Sequence, residues 1–556
     1  LGDDADDQVE ARRREMAMAL HERLIGQVFP EFLPTQRWFA GKGGRIERVE
    51  FDRYDIWAEQ TEWVLARIRV WLVGREEPQD YGLPLALAWE DQDDGGAEAL
   101  RSLWPYSLAK VRMRARMGLL YDAFADGRFG QGLVKMIARN ARIPLGNGWL
   151  KFTATQAFQE LTGESPETLP VKRLVLDSSN TTLAIGDRLL LKGYRRLQPG
   201  VNPELEMGRF LTEVAAFSNA APLAGAVEYE DEEDGSIIAL ALLQGFVANQ
   251  GDAWSYTLDY LKRFLDDCLQ PAESTEPGEN VHGVYLLFAA TLGRRTGELH
   301  RALAQTTGNP AFDPEPITVA DMTGWLDQIR DEVETTFSRL RLALGRLPES
   351  VQTLAEQVLA ARIGLPRAGR YASLAEQVLE VRGAATARSA QVEALTPDAM
   401  KTRYHGDYHL GQVLVARDDV IIIDFEGEPA RSLEERRGKH SPLRDVVGML
   451  RSFNYAAHAA LRQATVDGAR TMLTAQVNNW EQQTRTAFLA AYTEVVAGSP
   501  GYPADPDQVR VLLELFALEK ACYELRYELD NRPDWVEIPL GGLCELLSLE
   551  TKDAPR

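Results

Sequence analysis

Tyr404-His-Gly-Asp407-Tyr-His409-Leu-Gly-Gln412-Val-Leu-Val-Ala-Arg417-Asp-Asp-Val-Ile-Ile-Ile-Asp424-Phe-Glu426-Gly-Glu428 is the stretch from which the rest of the chain is read. Two apolar runs, Val413 to Ala416 and Val420 to Ile423, flank a charged turn at Arg417-Asp418-Asp419, the pattern of a β-hairpin. Folding the strands back on each other brings Asp424 beside Asp407 and Gln412, so three oxygen-bearing side chains converge. Phosphoryl transfer asks for this set: an acid that accepts the proton of an acceptor hydroxyl, and an amide and a carboxylate that hold Mg²⁺ on nucleotide phosphates. Asp407 takes the first role, Gln412 and Asp424 the second, and Glu426 adds a ligand for a second metal. An ordinary surface hairpin would leave acids beside buried Val and Ile strands with nothing to bind, which is costly.

Protein kinases carry this chemistry on His-Arg-Asp-x-x-x-x-Asn followed by Asp-Phe-Gly. Here the loop is His405-Gly406-Asp407, Gln412 stands in the Asn position, and Asp424-Phe425-Glu426 replaces Asp-Phe-Gly. Gln keeps the carbonyl ligand on a longer arm.

The 556 residues, 45% hydrophobic, suffice for several cores and, from length alone, about three or four domains. A net charge of −22, spread along the chain, excludes a nucleic-acid footprint and binding to anionic membrane surfaces. ATP remains compatible, because only the local site must be positive and Mg²⁺ supplies much of that charge. Cys268, Cys522 and Cys544 form no Cys-x-x-Cys pair, and the longest apolar run, Ile237 to Leu243, is too short to cross a bilayer. The expectation is a soluble, cytoplasmic protein. The start at Leu-Gly-Asp-Asp rather than Met suggests a piece of a longer polypeptide.

Residues 8 to 33 place apolar side chains at Met16, Leu20, Leu24, Val28, Phe29, Phe32 and Leu33, an amphipathic helix closed by Pro34. Gly41-Lys42-Gly43 lacks the spacing of a phosphate loop and reads as a turn. Trp63 to Val73 alternates, Leu83 to Trp89 is a second apolar run, and Glu90 to Glu98 is an exit loop, so a small sheet-forming module opens the chain. From Val171 a second set of strands follows: Val171 to Leu176, Thr182 to Ile185 and Leu189 to Leu191. Lys192 ends the last of them, placed to reach nucleotide phosphates. Ser179, Asn180 and Thr181, in the polar turn Asp177 to Thr181, would cover those phosphates with hydroxyls and backbone N–H groups. The helix after Pro203 carries Glu204 and Glu206, one of which is expected to hold Lys192; Glu206 is preferred. The acid run Glu228 to Asp234 reads as a solvated hairpin turn. Gln244-Gly245-Phe246-Val247 then forms a hinge for an adenine edge, bound through Gln244, Phe246 and Val247.

Beyond the hinge the pattern is helical. Asp252 caps a helix over Trp254 to Cys268, and Val284 to Leu303 is another, with His300 a structural residue. Leu354 to Arg362 is echoed at Leu374 to Arg382, read as two similar antiparallel helices. Asp445, near the start of a later helix, either braces the catalytic loop through backbone N–H groups or caps its own helix. Val511 to Asp530 is a long helix with Lys520, Tyr523 and Tyr527 on one face. That face fits either a sugar, with rings against its C–H faces, or a buried aromatic stripe.

Taken together, Gln36-Arg-Trp-Phe-Ala-Gly-Lys42, Ser179-Asn-Thr181, Lys192 to Glu204, the His405 to Gln412 and Asp424 to Pro429 segments, and Glu519 to Glu528 closely resemble bacterial maltokinase over nearly the whole chain. The resemblance implies an α+β, bilobal protein-kinase-like fold of the aminoglycoside-phosphotransferase type. It implies an N-terminal cap subdomain over residues 1–95, a small lobe over 96–247 and a mostly helical C-lobe over 248–556. It further implies transfer from ATP, with Mg²⁺, to maltose, giving maltose 1-phosphate for α-glucan synthesis. Asp407 would activate the anomeric hydroxyl, Gln412 and Asp424 would bind Mg²⁺, and Lys520, Tyr523 and Tyr527 would line the sugar pocket. His409 is placed with the sugar, and His405 and Asp445 as support. Maltokinases are often fused behind a trehalose synthase, which makes that enzyme the expected partner. Related cap-bearing kinases, glucosamine kinases among them, share the catalytic hairpin, so another sugar such as glucosamine is the alternative acceptor, and a non-catalytic module that binds sugar or holds a partner enzyme is the alternative of a different class.

Overall fold

The computed structural model describes residues 21–41, 43–56, 63–91, 96–174, 179–270, 281–361, 396–429, 431–464 and 469–546. Residues 8–20 of the first expected helix, Lys42, residues 175–176 of the expected strand, 177–178 of the polar turn and the second helical echo at 374–382 lie outside the described residues. The chain divides into two compact units, residues 1–213 with 221–248, and 214–220 with 249–556.

In the first unit residues 21–35 are helical, and Phe29, Phe32 and Leu33 bury themselves against Trp38, Phe39 and the first sheet. That sheet is antiparallel, with β1 (Ile46–Ile56), β2 (Trp63–Leu72), β3 (Gln79–Trp89), β4 (Ser107–Met113) and β5 (Arg116–Asp122) in the order β1-β2-β3-β5-β4. Alternation builds it: Ala66, Ile68, Val70 and Leu72 of β2 are buried while Arg67, Arg69 and Trp71 face the other way. With β4 and β5 included, the sheet extends past residue 95, where the exit loop had suggested the cap would end. Asp126 then caps α1 (Gly127–Ala138) by accepting from the Arg128 N–H at 2.9 Å.

The second sheet has seven strands: β6 (Arg142–Leu145), β7 (Gly148–Ala154), β8 (Val171–Leu174), β9 (Thr181–Ile185), β10 (Leu189–Gly193), β12 (Leu223–Asp231) and β13 (Ile237–Gly245), ordered β6-β7-β12-β13-β10-β9-β8. The short β11 (Arg196–Leu197) pairs with β3 of the first sheet, so the chain itself ties the two sheets together. Glu228 to Asp231 belongs to β12, and the remainder of the acid run makes the turn into β13. Asn202 caps α2 (Pro203–Arg209), its side chain accepting from the Leu205 N–H at 2.9 Å.

The second unit is mainly helical: α3 (Ala253–Cys268), α4 (Gly283–Leu303), α5 (Val319–Ala343), α6 (Leu443–Gln463), α7 (Arg470–Val496), α8 (Pro506–Asn531) and α9 (Glu537–Leu546). Asp252 caps α3 by accepting from the Ser255 N–H at 2.8 Å. Gly293 lets α4 press against α7, because a Cβ there would collide with the Phe488 carbonyl. Among the described residues, no helix is long and apolar enough to cross a membrane.

The hairpin of β16 (Val413–Ala416) and β17 (Asp419–Ile422) is stitched on both edges; the strands β14 (Glu315–Pro316) and β15 (Met400–Lys401) pair elsewhere in this unit. On one edge the Ile422 N–H donates to Asn219 O at 2.8 Å and the Asn219 amide donates to Val420 O at 2.9 Å. On the other, Gln250 N–H donates to Val415 O at 2.8 Å and Val415 N–H to Gly251 O at 3.0 Å. Arg295 clamps the turn end bidentately through Asp419, at 2.8 and 2.6 Å. A lone two-stranded hairpin is marginal in water, and these bonds make this one part of the unit.

Candidate active site

The loop before the hairpin is fixed through its backbone. Asp445, buried at the start of α6, accepts from the His405 N–H at 2.7 Å and the Gly406 N–H at 2.9 Å. It makes no capping bond to its own helix, so the bracing reading of Asp445 is the one the geometry carries. His300 approaches the same carboxylate at 3.2 Å through Nε2 and reaches the Tyr492 hydroxyl at 2.9 Å through Nδ1. Burial pushes the Asp445 carboxyl up, but the hydrogen bond and charge of His300, with His405 and the Gly406 N–H, hold it below the usual range.

The Asp407 N–H donates to His405 Nδ1 at 3.4 Å, which makes Nδ1 the acceptor and leaves the ring proton on Nε2. Nε2 then donates to Ile423 O at 2.8 Å, so His405 bridges the Asp407 loop to the strand end that carries Asp424. Gly448 of α6 completes the support: a Cβ there would run into the Tyr408 carbonyl.

At the hairpin's end Asp424 adopts φ +66°, an uncommon conformation for a residue with a side chain. Its Oδ2 accepts from the Gln412 amide at 3.0 Å. Asp424 and Glu426 bring carboxylate oxygens within 4.8 Å of each other. Two carboxylates and an amide carbonyl are hard oxygen donors of the kind Mg²⁺ takes, so these residues fit that ion.

Asp407 lines a cavity of about 270 Å³ together with Glu428, Arg431, Phe516, Glu519, Lys520 and Tyr523. Lys520 and Tyr523 therefore come to the same space as Asp407, with the Lys520 ammonium 4.8 Å from the Tyr523 ring centre. Tyr527 does not line it; 46% exposed, it stacks on Tyr523 from outside at 6.5 Å. His409, expected on the sugar, is not among the lining residues either. Its Nδ1 accepts from the Gly411 N–H at 3.0 Å and caps the short turn leading to Gln412.

Sequence reasoning missed the ionic cluster on the cavity wall. Arg431 Nε donates to Glu428 Oε2 at 2.8 Å and Nη2 to Glu519 at 3.2 Å, Arg444 also binds Glu519, and Lys520 lies 3.9 Å from Glu428. Burial raises the Glu428 carboxyl, yet Lys520 and Arg431 hold it below its ordinary value. Burial, with Glu428 next, pushes the Tyr523 phenol up. The signal was present in the juxtaposition of Glu519 with Lys520 and of Glu428 with Glu426.

In the first unit, Lys192 at the end of β10 pairs with Glu204 at 2.8 Å, and the Tyr194 hydroxyl donates to the same Glu204 oxygen at 2.7 Å. The preference for Glu206 is thereby corrected: Glu204 lies in the first turn of α2, buried, and Glu206 is two positions, over half a turn, around the helix. Thr181 also departs from its expected role. It is 3% exposed and its hydroxyl accepts from Arg195 Nε at 2.7 Å, in a buried cluster with Asp122 and Arg173. Ser179 and Asn180 form the bend just before β9. At the expected hinge the Phe246 N–H already donates to Arg188 O at 2.7 Å, and Gln244 sits in the ladder between Leu190 and Leu223. Val247 follows directly, just beyond β13.

A sheet-built first unit with a lysine held on a helix glutamate, and a helical second unit with a braced His-Gly-Asp loop and an acid-tipped hairpin, define a capped kinase fold. Residues 32–126 match the Maltokinase N-terminal cap domain family. A glucosamine kinase of Streptacidiphilus jiangxiensis is 24% identical over 424 residues, covering 76% of this chain and 81% of that protein. A glucosamine kinase of Mycolicibacterium smegmatis is 23% identical over 395 residues, covering 70% and 81%. The solved structure of a glucosamine kinase in complex with glucosamine, ADP and inorganic phosphate has TM-score 0.57 at 20% identity, covering 93% of this chain and 99% of that one. A crystal form B of glucosamine kinase gives TM-score 0.58 at 19% identity, with 94% and 99% covered. The fold is that of a sugar kinase carrying a maltokinase-type cap.

Proposed function

We propose that this chain is an ATP- and Mg²⁺-dependent kinase that phosphorylates the anomeric hydroxyl of maltose. The observation that carries the reading is that Asp407, on a loop fixed by buried Asp445, opens into the same cavity as Lys520 and Tyr523. Asp407 orients the acceptor hydroxyl and takes its proton as the oxygen attacks the γ-phosphorus, while the bond to the bridging oxygen of the leaving ADP breaks. Gln412, Asp424 and Glu426 would hold Mg²⁺, which neutralises charge on the phosphates when bound. Lys192, oriented by Glu204, holds the nucleotide phosphates. Tyr523 offers a ring to the C–H face of the sugar, and Lys520 and the Glu428–Arg431 pair offer polar groups to its hydroxyls.

Glucosamine is the second reading, favoured by the names of the relatives and by Glu428 and Glu519 on the cavity wall, whose carboxylates could receive an ammonium. The test is product identification: incubate with MgATP and maltose, glucosamine, glucose or trehalose, and assign the new phosphate ester by phosphorus–proton coupling. Maltose 1-phosphate supports the first reading. A glucosamine phosphate moves the acceptor and keeps the mechanism, and no ester with any sugar contradicts both.

A further inference from the structure

Between the two sheets of the first unit lies a cavity of about 110 Å³ that the proposed chemistry does not use. Its wall includes Leu83 and Pro84 of β3, Phe129 and Leu133 of α1, Phe152 of β7 and Val227 of β12. The polar side chains that reach it turn their tips elsewhere. Arg67 is ion-paired with Asp80, and the Tyr229 hydroxyl donates to the Asn147 side-chain oxygen at 3.3 Å. A charged or strongly hydrogen-bonding guest would lose water there without replacement. Apolar cavities of about 150 Å³ stay dry and take benzene, so this one suits a guest of about one ring.

The third polar wall residue is Tyr194, whose hydroxyl donates to Glu204, the carboxylate that holds Lys192. A guest against the Tyr194 ring therefore touches the residue whose hydroxyl donates to Glu204. We propose that this inter-sheet cavity is a binding site for a small, neutral, apolar molecule, and that its occupancy is passed through Tyr194 to the Glu204–Lys192 pair. The second half rests on Lys192 being the nucleotide lysine.

The experiment uses the full chain with benzene as probe and benzoate as the charged control on the same ring. Ligand-observed NMR should show benzene binding and benzoate not, and bound benzene should raise Tm and change the ATP Kd about fivefold. Leu133→Phe, which fills the cavity from α1, should abolish benzene binding and with it the benzene effect on ATP Kd; Ala66→Val is the milder filling if that variant does not fold. Tyr194→Phe should still bind benzene, but without the effect on ATP. Absence of benzene binding to the wild type, or equal binding by the filled variants, would overturn the site. An unchanged benzene effect in Tyr194→Phe would overturn the relay. If the wild type bound no ATP, the reading of Lys192 would fall, while the benzene measurements would still decide the cavity.

Discussion

Asp407 in the second unit, the proposed catalytic acid, and Lys192 in the first are held by different means. The Asp407 loop is pinned by its own backbone, through N–H groups on buried Asp445 and through the His405 bridge to Ile423. Lys192 is held through its side chain, an ammonium on Glu204 with the Tyr194 hydroxyl alongside. A base must meet a hydroxyl at one distance and angle, and backbone bonds to a buried carboxylate supply that rigidity. A phosphate-binding cation must exchange partners as nucleotide comes and goes, and a side-chain ion pair permits it.

Removing the base should have the largest effect. Asp407→Asn is expected to lower kcat about 10³-fold with ATP Kd unchanged, measured by steady-state kinetics and by titration of nucleotide. Next is the brace: Asp445→Ala orphans the buried His405 N–H, the half-buried Gly406 N–H and the His300 contact, and should cost about 3 kcal/mol in urea unfolding, with kcat falling as well. Lys192→Met should raise the KM for ATP about tenfold while leaving the acid loop's stability contribution in place. An equal loss of kcat in Lys192→Met and Asp407→Asn would erase the contrast between the two regions.

The brace also sets a pH dependence. Asp445 is held below its ordinary value in the folded state, so its contribution is present above the unfolded carboxylate pKa and is lost as pH falls through the folded one. The Tm difference between wild type and Asp445→Asn should therefore be full at neutral pH and shrink below about pH 4. The smallest effect is expected at Tyr527, outside the cavity: Tyr527→Ala should change sugar KM by less than about threefold, and Tyr523→Ala by more.

The hairpin was legible because two short apolar runs flank a charged turn, and oxygen-bearing side chains stand at both ends of the pair. The helices of the second unit were legible for a similar reason, since Asp252 and the apolar spacing of residues 284–303 mark a start and a face. What escaped was partner choice at close range. Glu204 and Glu206 differ only in angle around α2, which depends on where Pro203 starts the helix. Thr181 looked like a loop hydroxyl, but its partner Arg195 arrives from beyond β10, and Asp122 comes from the other sheet. His409 was read as a sugar ligand, and its Nδ1 caps a turn, a local bond that the sequence alone did not suggest. The Glu428–Arg431–Glu519–Arg444 cluster joins segments about ninety residues apart, and only packing reveals it.

The most direct test of the central claim is ADP release from MgATP with and without maltose, wild type beside Asp407→Asn in the same assay. A maltose-stimulated rate in the wild type that falls about 10³-fold in the variant, with both proteins binding ATP equally, is the predicted result. A stimulated rate that survives in Asp407→Asn would contradict Asp407 as the base.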